Sequence, residues 1–170
     1  MLEIIKKRKS IRAYKDKAIK QEDLEKIKEA IQRAPTWKNK QCFEVIIIED
    51  EVLRAKIGEI VNHNPCESAY TKAPYLFVFI ADPTKSGLRD DKPYYMSDTA
   101  IAIDHAMLCA TSLELGTCWV GVFPEKEIKD VLSIPEHYRI VALMPLGFKD
   151  EEPEIRPRRS IDEIFHKNIY

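Results

Sequence analysis

Glycine is scarce in this chain. Its five glycines, at positions 58, 87, 116, 121 and 147, never form GxGxxG or GxxxxGK. Neither a dinucleotide fingerprint nor a Walker loop is therefore present, and any phosphate must be held by side chains. Long apolar runs are missing as well. No stretch approaches the roughly 20 residues that span a bilayer, and Met1-Leu2-Glu3-Ile4-Ile5-Lys6 lacks the apolar core of a secretory signal. Cys42, Cys66, Cys109 and Cys118 show no close pairing of the kind that zinc sites and disulfide frameworks use. A reduced, cytoplasmic protein is expected. Charge of one sign is not in excess: 27 basic residues face 28 acidic ones, for a net charge of -1. That balance argues against nonspecific nucleic-acid binding, which needs a strongly basic face.

What is present reads as one domain over residues 1–170. Hydrophobic content of 45% and charged content of 32% are ordinary for a globular protein, and a chain of this length buries roughly 70% of the surface its unfolded form exposes. Leu24, Ile27, Ala30 and Ile31 recur at helical spacing inside 21–33, and Ala34-Pro35 stops that helix. Shorter helices are expected over 2–7, 51–60, 125–132 and 161–166. Apolar or β-branched runs predict strands over 43–48, 75–81, 117–122 and 140–144. Ser97 or Asp98 is placed to cap a long helix running to about Leu115, with Gly116 ending it. That helix has almost no polar face, so part of it is expected to meet a second subunit. Asp104 and His105 within it are either catalytic groups or hydrogen-bonded groups at that contact.

The basic residues are clustered. Arg8-Lys9-Ser10-Ile11-Arg12 lies near the N-terminus and Arg156-Pro157-Arg158-Arg159 near the C-terminus. Either cluster alone suits a solvated face. Brought together by folding, they would form a pocket for one small polyanion, most simply a phosphate monoester. Arginine fits that task because its planar fork donates paired, charge-assisted bonds, each worth roughly 1.5–3 kcal/mol. Two further segments bear on the ligand. The loop Ala34-Pro35-Thr36-Trp37-Lys38-Asn39-Lys40-Gln41 carries amides and a hydroxyl suited to the edge of a planar ring. The run Leu115-Gly116-Thr117-Cys118-Trp119-Val120-Gly121 ends on a glycine where something flat could approach the backbone.

With these four segments in order, the chain resembles the FMN-dependent nitroreductase family of NAD(P)H oxidoreductases. The motifs are Arg8 to Arg12, Ala34-Pro35-Thr36 with Asn39 and Gln41, Asp98 through Gly121, and Pro145-Leu146-Gly147 followed by Arg156 to Glu163. The resemblance spans essentially the whole chain. It implies an α+β, three-layer α-β-α fold with a mixed, mainly antiparallel central sheet, helices on both faces and a long buried central helix. It implies FMN as cofactor, with Arg8, Ser10, Arg156 and Arg158 on its phosphate, Lys9 among the residues that bind it and Arg12 near the pyrimidine edge. A positive charge there would tune the flavin potential. Val120 and Gly121 would lie beside the ring system, and Pro35, Thr36 and Asn39 would reach a flavin bound mainly by the other chain of a homodimer. Trp37 and Tyr70 are candidates for shaping the substrate face, each equally suited to a core or interface role. The chain departs from the family where Cys42 stands in place of a common proline and Asp104-His105 in place of a frequent Gln-Asn pair.

The implied activity is hydride transfer from NADH or NADPH through the flavin to a small oxidised acceptor, such as a nitroaromatic or quinone, by a ping-pong route. The flavin carries the chemistry, so no catalytic acid, base or nucleophile is named, and no metal is expected. The residues are equally compatible with storage or sensing of FMN, another flavin reaction such as enone reduction or dehalogenation, or binding of a different phosphorylated molecule.

Overall fold

A computed structural model describes residues 1–169 of the protein. In chain order the elements are α1 (Leu2–Lys7), α2 (Gln21–Gln32), β1 (Phe43–Ile48), α3 (Glu51–Ile60), α4 (Ser68–Thr71), β2 (Tyr75–Ala81), β3 (Leu88–Arg89), β4 (Lys92–Pro93), α5 (Tyr94–Ser112), β5 (Leu115–Thr117), α6 (Glu125–Leu132) and β6 (Arg139–Phe148). A short 3-10 turn, Trp37–Asn39, lies between α2 and β1.

The central sheet has four strands in the order β1-β2-β6-β5, all antiparallel. Its middle strands explain why the sequence there is apolar without alternation. Phe77, Phe79 and Ala81 of β2 pack with α2 and α5, while Leu76, Val78 and Ile80 face α3, α4 and α6. Helices thus cover both faces, and a strand buried on both sides has no polar side to show. The register of β2 against β6 shifts between Phe79 and Ile80. The extra residue lets Val141 and Ala142 both join the α5 side, whereas Ile140 and Leu143 point to the other.

Several expectations need correction. The long helix begins at Tyr94 and ends at Ser112, so neither Ser97 nor Asp98 caps it. Ser97 Oγ instead donates to the Tyr94 carbonyl, and Asp98 points away to the loop before β1. Gly116 does not end the helix; it sits in β5 beside Ile11, leaving no room for a side chain, since a Cβ would fall 2.9 Å from Ile11 carbons. The 117–122 strand narrows to 115–117 plus a single bridge from Val120 to Leu143. The last strand runs on through Pro145 to Phe148, because β2 and β5 flank it there. No helix forms over 161–166: only a turn closes, with Ile164 and Phe165 N–H donating to the Ile161 carbonyl. Every residue of that segment is exposed, and a six-residue helix without packing is too short to hold itself.

Candidate functional site

The two basic clusters converge, and backbone pairing brings them together. Ile11 N–H donates to the Thr117 carbonyl at 2.9 Å, which lays the N-terminal segment along β5. Three residues on, Tyr14 bridges Lys149, with Lys15 N–H on the Phe148 carbonyl and Asp150 N–H on that of Ala13, both at 3.0 Å. The chain leaving β6 therefore emerges beside residues 10–15. Tyr14 anchors this junction: it is fully buried, its hydroxyl donates to the Ile11 carbonyl at 2.6 Å, and burial raises its pKa well above the usual tyrosine value.

From the junction opens a cleft of about 570 Å³ lined by Arg8, Lys9, Ser10, Arg12, Arg156 and Arg158, together with Ile5, Lys6, Pro153, Glu154 and Ile155. Six cations and one hydroxyl thus face a single carboxylate, Glu154. A doubly charged phosphate suits such a donor set, and the arginine forks supply the directed bonds it takes. Arg158 Nη1 donates to the Arg156 carbonyl at 3.1 Å, and Arg12 Nη1 to that of Ser10 at 3.2 Å. Sequence reasoning missed the acidic residues that organise the cleft. Glu152 pairs with Lys9, and Glu151 accepts the backbone N–H groups of Arg12 and Ala13. Their signal was the acidic run at 151–154, directly before the second cluster.

Two further segments touch this region. Cys66 Sγ and Ser68 Oγ both donate to the Arg12 carbonyl, and Asn64 Nδ2 donates to that of Val122 at 3.1 Å. The loop before α4 therefore ties the N-terminal cluster to the strand end at Val120-Gly121. Val120 is buried and Gly121 exposed, with only the Trp119 indole near the position a Cβ would take. Burial pushes the Cys118 thiol up against the opposing pull of Arg12 and Arg8, so it stays protonated rather than becoming a nucleophile.

Other predicted residues lie elsewhere. Pro35, Thr36, Trp37 and Asn39 sit at the start of α5, where Trp37 N–H donates to Asp98. The basic cleft sits at the other end of that helix, where Lys7 pairs with Glu114 at 3.8 Å. Trp37 is half-buried and lies flat on Tyr94, an aromatic surface at the edge of the loop. Tyr70 is no part of a substrate face. It is fully buried beneath Gly58, with its hydroxyl on the Asn64 carbonyl, and is a core residue. His105 Nδ1 lies 3.2 Å from the Ala30 carbonyl and Asp104 is exposed. No cluster of three or more metal-ligating side chains occurs among the described residues.

A layered α-β-α domain with its basic cleft at the joined termini defines the class to which the comparisons lead. The family described as "Putative TM nitroreductase" matches residues 1–169, and the chain belongs to it. It is 31% identical over 168 residues to a "Putative NADH dehydrogenase/NAD(P)H nitroreductase" of Methanothermobacter thermautotrophicus, covering 96% of this chain and 85% of that one. Among solved structures, a nitroreductase family protein from Clostridium novyi superimposes with a TM-score of 0.82 at 40% identity, over 88% of this chain and 85% of the other. An FMN-dependent nitroreductase from Clostridium difficile superimposes with a TM-score of 0.85 at 27% identity over the full length of both. The three-layer nitroreductase fold is therefore that of this protein.

Proposed function

We propose that the protein is a homodimeric FMN enzyme that passes reducing equivalents from NADH or NADPH to a small oxidised acceptor, such as a nitroaromatic or a quinone. As a member of its family it is an NAD(P)H-dependent oxidoreductase whose cofactor is FMN. Bound FMN would supply a two-electron relay between nucleotide and acceptor. The chain's own part is to bind and orient. Arg8, Lys9, Ser10, Arg156 and Arg158 would hold the phosphate, Arg12 would set positive charge toward the ring, and Val120-Gly121 would offer open backbone beside it.

Two observations support a site built from two chains. Asp98, which carries the Trp37 loop, and Glu114, which meets Lys7 next to the basic cleft, mark opposite ends of α5. At 19 residues that helix is about 28 Å long, too far for one flavin to reach both ends within one chain. Apolar surface also lies uncovered: Ile155, Ile161, Phe165 and Ile169 on the C-terminal segment are each more than 70% exposed, and Ile101 and Met96 open the outer side of α5. Such a patch calls for a partner, and a second copy of the chain supplies the missing loop as well as the cover. We read residues 1–170 as one domain acting in the cytoplasm, a placement to which four free thiols are suited.

The convergence of Arg8, Ser10, Arg156 and Arg158 in one cleft carries this reading. Purified protein should be yellow or become so with added FMN, and anaerobic NADH or NADPH should bleach it. A preparation that takes up no FMN overturns the flavin reading; a yellow one that neither nucleotide reduces makes it a store or sensor.

A further inference from the structure

The loop that begins at Trp37 is held in an unusual shape. Lys38, Asn39 and Gln41 have φ of 48°, 54° and 48°, the left-handed region that side chains other than glycine seldom adopt. Residues 38–41 are all exposed, so burial of their own side chains does not compensate for that conformation. Something else must impose it.

Asp98 does. It lies on the second turn of α5, only 3% exposed. Its Oδ1 accepts the Trp37 N–H at 2.9 Å, and its Oδ2 faces the Cys42 thiol at 3.7 Å. One carboxylate therefore grips the residue at each end of the left-handed stretch. Inside the loop, Thr36 Oγ1 accepts the Gln41 N–H at 3.0 Å and the Thr36 carbonyl that of Asn39 at 2.9 Å. The indole of Trp37 is locked alongside. Its ring lies on Tyr94 with centroids 5.3 Å apart and planes 7° from parallel. Gly87 backs it, where a Cβ would come within 2.7 Å of the ring. Gly87 stays put because its carbonyl accepts the Tyr94 N–H at 2.9 Å. Burial raises the Cys42 thiol pKa, and the neighbouring Asp98 adds to this. Cys42 therefore remains a donor to the carboxylate.

We infer that Asp98 is a positioning residue for the cofactor site: through Trp37 N–H and Cys42 it pre-organises the exposed face of Thr36 to Gln41 that meets a flavin held by the other chain. The inference rests on the two-chain FMN site proposed above. A loop strained in advance loses little freedom on binding, so the carboxylate contributes to affinity without touching the ligand. Asparagine at this position retains an oxygen for the Trp37 N–H, whereas alanine does not.

The test measures FMN bound per dimer after desalting, alongside a thermal melt that confirms folding. Asp98→Ala should weaken FMN binding by about tenfold or more, and Asp98→Asn by clearly less. In mixed dimers of Asp98→Ala with Arg158→Ala chains, one of the two sites joins an intact loop to an intact cleft. Such dimers should hold about half the FMN of the wild type, above either parent. If Asp98→Ala fails to fold, Asp98→Ser takes its place with the same expectations. Wild-type retention by Asp98→Ala, or mixed dimers no better than their parents, overturns the inference while leaving a flavin-binding wild type intact. A wild type that binds no FMN overturns the flavin reading and the inference together.

Discussion

The carboxylate of Glu151 accepts the backbone N–H of Ala13 at 3.1 Å, and that of Arg12 beside it. A side chain from the C-terminal segment thus pins the backbone that carries the first basic cluster. Replacing Glu151 with alanine removes two hydrogen bonds at a part-buried junction, a loss of roughly 1–3 kcal/mol in all. The melting temperature should fall by about 2–4 °C for each kcal/mol lost, and FMN retention should fall with it, both read on the same preparation.

Arg158 is the direct test of the cleft. Arg158→Ala should leave the fold unchanged and weaken FMN binding by roughly ten- to a hundredfold, the worth of a charge-assisted phosphate bond. Arg158→Lys should recover part of that loss, since it keeps the charge but not the fork. Fluorescence titration with FMN measures all three. Unchanged affinity in Arg158→Ala would place the phosphate elsewhere.

Sites that combine two chains predict complementation. Asn39→Ala and Arg8→Ala homodimers should each retain FMN poorly, yet a refolded mixture should regain some intact sites. Bound flavin per protein after gel filtration is the readout, and a mixture no better than its components would argue for a site within one chain.

The exposed apolar segment at the C-terminus should be an interface. The double substitution Ile161→Asp and Phe165→Asp places charge where a second copy would bury apolar area, at roughly 25 cal/mol for each Å² lost. Light scattering should show the population move from dimer toward monomer, with little change in far-ultraviolet circular dichroism.

Glu125 makes stability depend on pH. Burial alone would raise its pKa, but hydrogen bonds from Arg139 Nε and Nη2 and from Ile140 N–H, each at 2.9 Å, outweigh it and hold the carboxyl below its ordinary 4.5. A group lowered on folding stabilises the fold above its unfolded pKa, and that contribution fades as pH falls through the folded value. Glu125→Gln should therefore melt earlier than the wild type at pH 7, and the gap should shrink as pH falls through the lowered folded value. An equal gap across that range would remove the ion pair as its cause.

Much of this architecture could be read from local pattern. The spacing of Leu24, Ile27 and Ile31 and the unbroken run Tyr75–Ala81 mark α2 and β2 because side-chain periodicity is a local property. Asp98 misled for a related reason: a carboxylate just before an apolar helical run matches an N-cap, and only the position of Trp37 across 61 residues of sequence shows its other use. Pro145 looked like a strand end, yet the strand continues because neighbours on both sides hold it. Tyr70 offered a ring and a hydroxyl with nothing in the sequence to say that Gly58 would fold over it.

By themselves the residues determined the chemistry available here: two compact groups of arginine and lysine in a chain of balanced charge, and no glycine loop to share their task. Charge and donor geometry belong to side chains wherever they lie. What tertiary structure decided was adjacency. The pairing of residues 10–15 with β5 and the end of β6 brings together clusters nearly 150 residues apart. The span of α5 sets the Trp37 loop at its far end. Proximity between distant segments comes from strand register and helix length, which only the assembled sheet and helices define.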